Sequence, residues 1–121
     1  MSTDESKQAQ SFSLEENLKK ALTEMLMLYL LAQKDCYIGE LTETLSEKSG
    51  GALSIVFPYG AIYRLEQEEY IVDCGKRNAP DGRRRHYYRI TEAGRAYLHQ
   101  LLKIYRRFFD GVSSVLERGE Y

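Results

Sequence analysis

Between Ser54 and Arg95 the chain reads SIVFPYGAIYRLEQEEYIVDCGKRNAPDGRRRHYYRITEAGR, and this stretch leaves the rest little freedom in how to fold. Ile62 and Leu65 stand three residues apart and give a helix one apolar stripe, with Tyr59, Tyr63, Arg64 and Gln67 on the other side. Ile71 to Cys74 is short and β-prone. Lys76 to Gly82 supplies turn residues, with Asp81-Gly82 closing the loop, and Arg83 to Ile90 returns as the partner strand. Thr91 then caps a last helix, with Glu92 placed favourably in its first turn. A helix followed at once by a basic hairpin has the order of a recognition helix and wing in a winged helix-turn-helix, a device that reads double-stranded DNA.

A net charge of −1 argues against a nucleic-acid partner until its distribution is read. From Lys76 to Arg107 ten Lys and Arg face only Asp81 and Glu92, a local balance of +8 that leaves −9 on the remainder. A chain so polarised has one basic face, and that face governs its partners more than the total does. In the helix before the hairpin, Glu66, Glu68 and Glu69 crowd the C-terminal end and would be repelled by phosphate. DNA contacts are therefore expected from its N-terminal half, around Tyr59, Tyr63 and Arg64, and from Lys76, Arg77, Arg83, Arg84 and Arg85 of the wing.

Upstream, residues 1–10 are polar and aperiodic and read as a loose tail. Ser13 and Glu16 fit a capping box with Phe12 as staple, and Leu14, Leu18, Ala21, Leu22, Met25, Leu26 and Tyr29 then recur at helical spacing to about Ala32. Leu28, Leu30 and Leu31 make the end of that helix apolar nearly all round, so it should be buried. Ile38, Leu41 and Leu45 give a short second helix, stopped by Ser49-Gly50-Gly51 in the left-handed manner that suits glycine. Pro58 is tolerated only in a first turn, which predicts a third helix starting between Ile55 and Phe57.

The last helix carries two adjacent apolar stripes: Tyr97, Leu101, Ile104, Phe108 and Val115, beside Leu98, Tyr105, Phe109, Val112 and Leu116. Continuous to Glu117 it would be about 40 Å long, beyond the width of a small domain, unless Asp110-Gly111 bends it. Such a face should be buried in a second copy of the chain. The fold class expected is mainly α with a small β-hairpin. On this reading 1–12 is a tail, 13–91 a winged helix-turn-helix and 92–121 a dimerisation helix. Phe12, Leu14, Leu18, Tyr97, Leu101, Tyr105, Phe108, Phe109 and Val112 are candidates for a dimer interface or an effector pocket.

Other classes find little support. No apolar run approaches the roughly 18 residues of a membrane span, and no basic-then-apolar leader is present, so a cytoplasmic protein is expected. Cys36 and Cys74 read as reduced thiols rather than a disulfide framework. His86 and His99 have no nucleophile or carboxylate at a known catalytic spacing, and the cysteines and histidines lack metal-ligand spacing. No enzyme activity, cofactor or metal is expected.

The blocks Tyr59 to Glu66, Gln67 to Ile71 and Arg83 to Arg95 (YGAIYRLE, QEEYI and RRRHYYRITEAGR) resemble the PadR family of bacterial transcriptional regulators, whose pattern is roughly LYPALxRLEEEGLI followed by RRRYYRLTEAGR. The resemblance spans about residues 22 to 118 and is similar to short members with a single C-terminal helix. It implies a homodimeric repressor whose terminal helices form the interface, with a small aromatic or drug-like effector acting through it. It implies a phosphate or groove contact for Tyr59, a core role for Leu65, a structural role for Glu66 and a basic wing edge for Arg83 to Arg85. The chain departs from the pattern at Val56-Phe57-Pro58-Tyr59-Gly60, where the proline stands two residues early and Phe57 replaces a threonine hydroxyl. It also has no tryptophan with which to stack an effector.

Alternatives stay open on the residues alone. Arg83 to Arg85 alternate along a strand and could merely solvate it, and Tyr59 and Tyr63 could be half-buried packing residues. The rings of the last helix could be plain interface core. The same pattern also fits a winged-helix protein-interaction module that does not bind DNA.

Overall fold

The computed structural model describes the backbone of residues 3–55 and 58–118, and the side chains of 17–55 and 58–117. Among the described residues six elements follow in order: α1 (Thr3–Gln33), α2 (Ile38–Lys48), α3 (Pro58–Gln67), β1 (Ile71–Asn78), β2 (Arg84–Ile90) and α4 (Glu92–Arg118). The apolar end of α1 is where the protomer is built. Met27 and Leu28 are wholly buried there, with Leu31 nearly so, and they meet Leu41 and Leu45 of α2, Ile62 and Leu65 of α3, Ile71 and Ile90 of the hairpin, and Leu98 of α4. Each such side chain contributes about 1.5–3 kcal/mol by leaving water.

α2 ends as its glycines predict. Gly50 takes φ 63°, and its N–H and that of Gly51 bond back to the carbonyls of Glu47 and Ser46 at 3.1 and 2.8 Å, closing a Schellman motif. α3 ends with the same pair of bonds, from Glu69 N–H to Glu66 at 2.9 Å and from Tyr70 N–H to Leu65 at 2.9 Å. Here the left-handed residue, at φ 60°, is Glu69. It stands where the pattern LYPALxRLEEEGLI has glycine.

The hairpin is antiparallel, pairing Ile71 with Ile90 at its base and Asn78 with Arg84 near its tip. Cys36 adds a third, one-residue rung: its N–H and carbonyl bond Tyr88 at 3.2 and 2.8 Å. Tyr88 is buried while Tyr87 sits on the opposite face against Tyr37, as the period of two requires. α4 leaves the hairpin through the Thr91 cap, whose hydroxyl oxygen accepts from Gly94 N–H at 3.0 Å. This arrangement of helices around one hairpin is the winged-helix fold expected from the sequence.

Several boundaries differ from expectation. α1 is helical from Thr3, so 3–12 is no tail in backbone conformation and the Ser13 box does not start the helix; Asp4, Glu5, Lys7, Gln8 and Ala9 are good formers or favourable first-turn charges. The Phe12 and Leu14 side chains lie outside the described residues. Among the described residues α3 runs from Pro58, with proline in the first turn that accepts it; Val56 and Phe57, where its start is predicted, lie outside the described residues. β1 runs on to Asn78 instead of ending at Cys74, because a bulge between Asp73 and Lys76 absorbs Gly75, whose N–H bonds Asp73 Oδ1 at 2.7 Å. α4 passes Asp110-Gly111 without a break, so its 27 residues span about 40 Å.

Candidate nucleic-acid interface

The start of α3 and the hairpin meet where Tyr59, Lys76, Arg84 and Arg85 line one cavity, whereas Arg64 and Arg77 turn toward the body. Tyr59 and Tyr63 are 75 and 66 % exposed, so they are not half-buried packing residues of the protomer. Lys76, Arg77, Arg83 and Arg84 are exposed and Arg85 is half-buried.

These cations are not equally available. Arg64 forms a two-pronged ion pair with Glu24 of α1, which raises its already high pKa and holds it as a strut between α3 and α1. Arg77 reaches Asp35, in the α1–α2 connection, at 3.0 Å, and Arg89 grips the same carboxylate at 2.7 and 3.1 Å. The Arg89 hydrogen bond is the largest influence holding the Asp35 carboxyl below its usual range, with Arg77 adding to it against partial burial. Arg85 donates to Asp81 Oδ2 at 3.0 Å and lies over the Tyr37 ring at 5.6 Å. Among the described residues the Arg84 side chain donates only to the Lys76 carbonyl, at 3.4 Å. Among the described residues, Lys76 and Arg83 have no side-chain ion pair, and with Arg84 they are the wing cations least committed to the protein itself.

The wing tip is set by Asp81. Its Oδ1 accepts from Arg83 N–H at 3.0 Å, which with Arg85 keeps the carboxyl ionised below the ordinary range. Asp73 faces His86 Nδ1 at 3.0 Å across the bulge.

The predicted interface residues separate into two groups. Tyr97 stacks on Tyr70 with ring centres 4.3 Å apart, and Leu101 packs against the protomer's own core, so both are occupied within one chain. Leu18, Tyr105, Phe108, Phe109 and Val112 are exposed, together with Ile104, Val115 and Leu116. A cavity of about 310 Å³ opens between α1 and α4, lined by Leu22, Met25, Tyr29, Leu53, Leu102 and Tyr105 among others. Of the five aromatic residues suggested for an effector, Tyr105 alone among those described lines it.

Sequence reasoning missed Glu24, Asp35 and Tyr37, which anchor α3 and the wing to the body. Arg64 and Glu24 lie 40 residues apart, and Arg89 and Asp35 lie 54 apart, so no local spacing could have flagged them. Burial raises the Cys36 thiol to about 11, as suits a structural cysteine, and Cys74 is a half-exposed free thiol.

The sequence profile of the Transcriptional regulator PadR-like family matches residues 27–100, more than half of the chain, including α3 and the whole hairpin. The chain belongs to the PadR-like family. It is accordingly a transcriptional regulator rather than an enzyme. A PadR-like transcriptional regulator from Bacillus cereus superposes with a TM-score of 0.73 at 25 % identity, over 86 % of this chain and 99 % of that one. A padR family regulator from Eggerthella lenta shares the fold along 98 % of this chain and 100 % of its own, with a TM-score of 0.72 and 23 % identity. An uncharacterized protein of Lysinibacillus sphaericus is 34 % identical over 80 residues, covering 64 % of this chain and 72 % of that protein. No helix among the described residues of this PadR-like protein is long and apolar enough to cross a membrane.

Proposed function

We propose that this PadR-like regulator is a homodimeric, cytoplasmic repressor that binds a two-fold operator in double-stranded DNA through the start of α3 and the wing. One observation carries the reading: exposed Tyr59 lines one cavity with Lys76 and Arg84, cations with no ion pair among the described residues, and exposed Tyr63 follows one turn along α3. Phosphate contacts position a protein on DNA and groove contacts choose the sequence, so the wing supplies affinity and the tyrosines supply fit. The exposed apolar face of α4 supports the dimer, since an apolar surface this long is normally covered. Two copies would set two α3 helices in successive major grooves about 34–36 Å apart.

Replacing Arg83, Arg84 and Arg85 with alanine tests the reading. Affinity should fall on every duplex, and the dependence of log affinity on log salt should flatten by about 0.9 for each phosphate no longer neutralised. Unchanged affinity would remove the wing from the interface. The effector part of the reading rests on the α1–α4 cavity and Tyr105, and is dropped if planar aromatic ligands leave the melting temperature unmoved.

A second reading, a protein-interaction module without DNA binding, draws on Arg64. The one cation of α3 is held by Glu24, and Glu66, Glu68 and Glu69 make the end of that helix acidic. A dimer without salt-sensitive affinity for any duplex would favour it.

A further inference from the structure

Between the start of α2, Tyr59 and the hairpin lies a cavity of about 350 Å³. Its walls carry Lys76, Arg84, Arg85 and His86 from the hairpin, and Tyr37, Ile38 and Gly39 where α2 begins. Of the nearby acidic side chains, Glu40 is engaged outside the cavity, Asp81 and Asp73 pair with the cavity's own Arg85 and His86, and Glu43 and Glu47 line the adjoining surface of α2. Glu40 holds Lys34 at 2.6 Å, Asp81 holds Arg85 at 3.0 Å, and Asp73 faces His86 at 3.0 Å. Lys76 and Arg84 remain uncompensated, the positive charge that one or two phosphate charges would match. Arg85, which also lines the cavity, has its Nε buried without a hydrogen-bond partner among the described residues while its Nη2 is on Asp81. Burying such a donor is costly unless something accepts from it. Tyr37 provides no side-chain cap, so the first-turn N–H groups of α2 also lack a capping acceptor.

We infer that this cavity seats a single phosphate group, supplied by the DNA backbone between the grooves entered by α3 and the wing. Lys76 and Arg84 neutralise it, Arg85 Nε and the α2 amides donate to it, and the Tyr59 hydroxyl closes the open side. The inference rests on the DNA-binding reading and adds to it. It makes α2 and Tyr37 part of the interface, and it fixes the wing's distance from α3 by one shared ligand.

Two measurements on the full chain separate the seat from the DNA-binding reading. Titration with inorganic phosphate against chloride at matched ionic strength, followed by amide NMR, should shift Ile38, Gly39, Lys76 and Arg84 saturably. A phosphate response absent or centred elsewhere overturns the seat, whatever the DNA result. Duplexes carrying one neutral methylphosphonate at each backbone position in turn are then compared by anisotropy. One position per half-site should cost the wild type about tenfold in affinity, the scale of a charge-assisted contact. The same position should cost the folded Lys76→Ala/Arg84→Ala variant no more than about twofold, because its partners are already gone. Equal penalties in both proteins overturn the DNA source of the phosphate. Failure of every duplex to bind, with the phosphate shifts intact, overturns the DNA reading and leaves a seat for a free phosphate instead.

Discussion

The hydroxyl of Thr91 donates to the carbonyl of Glu69 at 2.7 Å, and through that bond the end of α3 is joined to the start of α4. Thr91 N–H also bonds the Tyr70 carbonyl at 3.0 Å, and the Thr91 oxygen caps Gly94. The helix that faces DNA in the proposed function and the helix that would form the dimer thus share one hydrogen-bonded junction. Two of the three sequence blocks that carry the family resemblance, Gln67 to Ile71 and Arg83 to Arg95, meet there in space.

Glu69 is the strained member of that junction. A left-handed conformation costs a side-chain-bearing residue about 1–2 kcal/mol, and glycine gives back about half of that through its freer unfolded chain. A carboxylate at a helix C-terminus is unfavourable as well. Glu69→Gly should therefore stabilise the protein by about 0.5–1 kcal/mol, a rise of a few degrees in melting temperature. Glu69→Gln, which removes the charge alone, should gain less. Thermal melts that place the glycine variant at or below wild type would mean the strain is relieved in some other way.

Gly94 is constrained from the other side. A Cβ built there would stand 2.1 Å from the Tyr70 carbonyl oxygen and 2.8 Å from Ile90 Cγ1, and the first of these is backbone that cannot swing away. Gly94→Ala should cost about 2–3 kcal/mol or prevent folding. Urea denaturation reads this directly, and a variant as stable as wild type would contradict the closeness of α4 to the hairpin base.

Asp35 fastens the wing to the body. Because Arg89 and Arg77 depress its folded pKa, its contribution is complete above the ordinary carboxylate pKa near 4 and fades as pH falls through the lower folded value. With both arginines partly exposed, the contribution at neutral pH is about 1 kcal/mol or less. Asp35→Asn should lose that amount at pH 7 and converge on wild type as pH falls through the lowered folded value. Stability curves of the two proteins that stay parallel through that fall would show the clasp to be energetically idle.

The exposed face of α4 makes a prediction about assembly. Phe108 and Val112 stand four residues apart and are 67 and 57 % exposed. Phe108→Glu with Val112→Glu should yield a monomer by sedimentation, with helical content kept. Its affinity for a two-site duplex should drop by about a hundredfold, since linked binding of two half-sites is abolished. A wild type that sediments as a monomer would refute the dimer outright.

What the sequence disclosed was what local periodicity encodes. The buried end of α1, the glycine stop after α2, the choice between Tyr87 and Tyr88 and the cap at Thr91 all follow from spacings of two to four residues. The extension of β1 was hidden because Gly75 reads as a turn residue, and only the Asp73 side chain shows it to be a bulge. The start of α1 was masked by its polar composition, which lacks an apolar stripe although its residues favour helix. The division of the basic face into anchored and available cations was not legible at all. Arg64, Arg77 and Arg89 read as free charges until Glu24 and Asp35 are placed beside them by the fold.

The most direct test is fluorescence anisotropy of the purified protein on labelled duplex from upstream of its own gene, against scrambled DNA, over a series of salt concentrations. The account predicts tight binding to the first duplex, at least about a thousandfold above the second, falling steeply as salt rises. Equal, weak binding to both, or binding indifferent to salt, would contradict it.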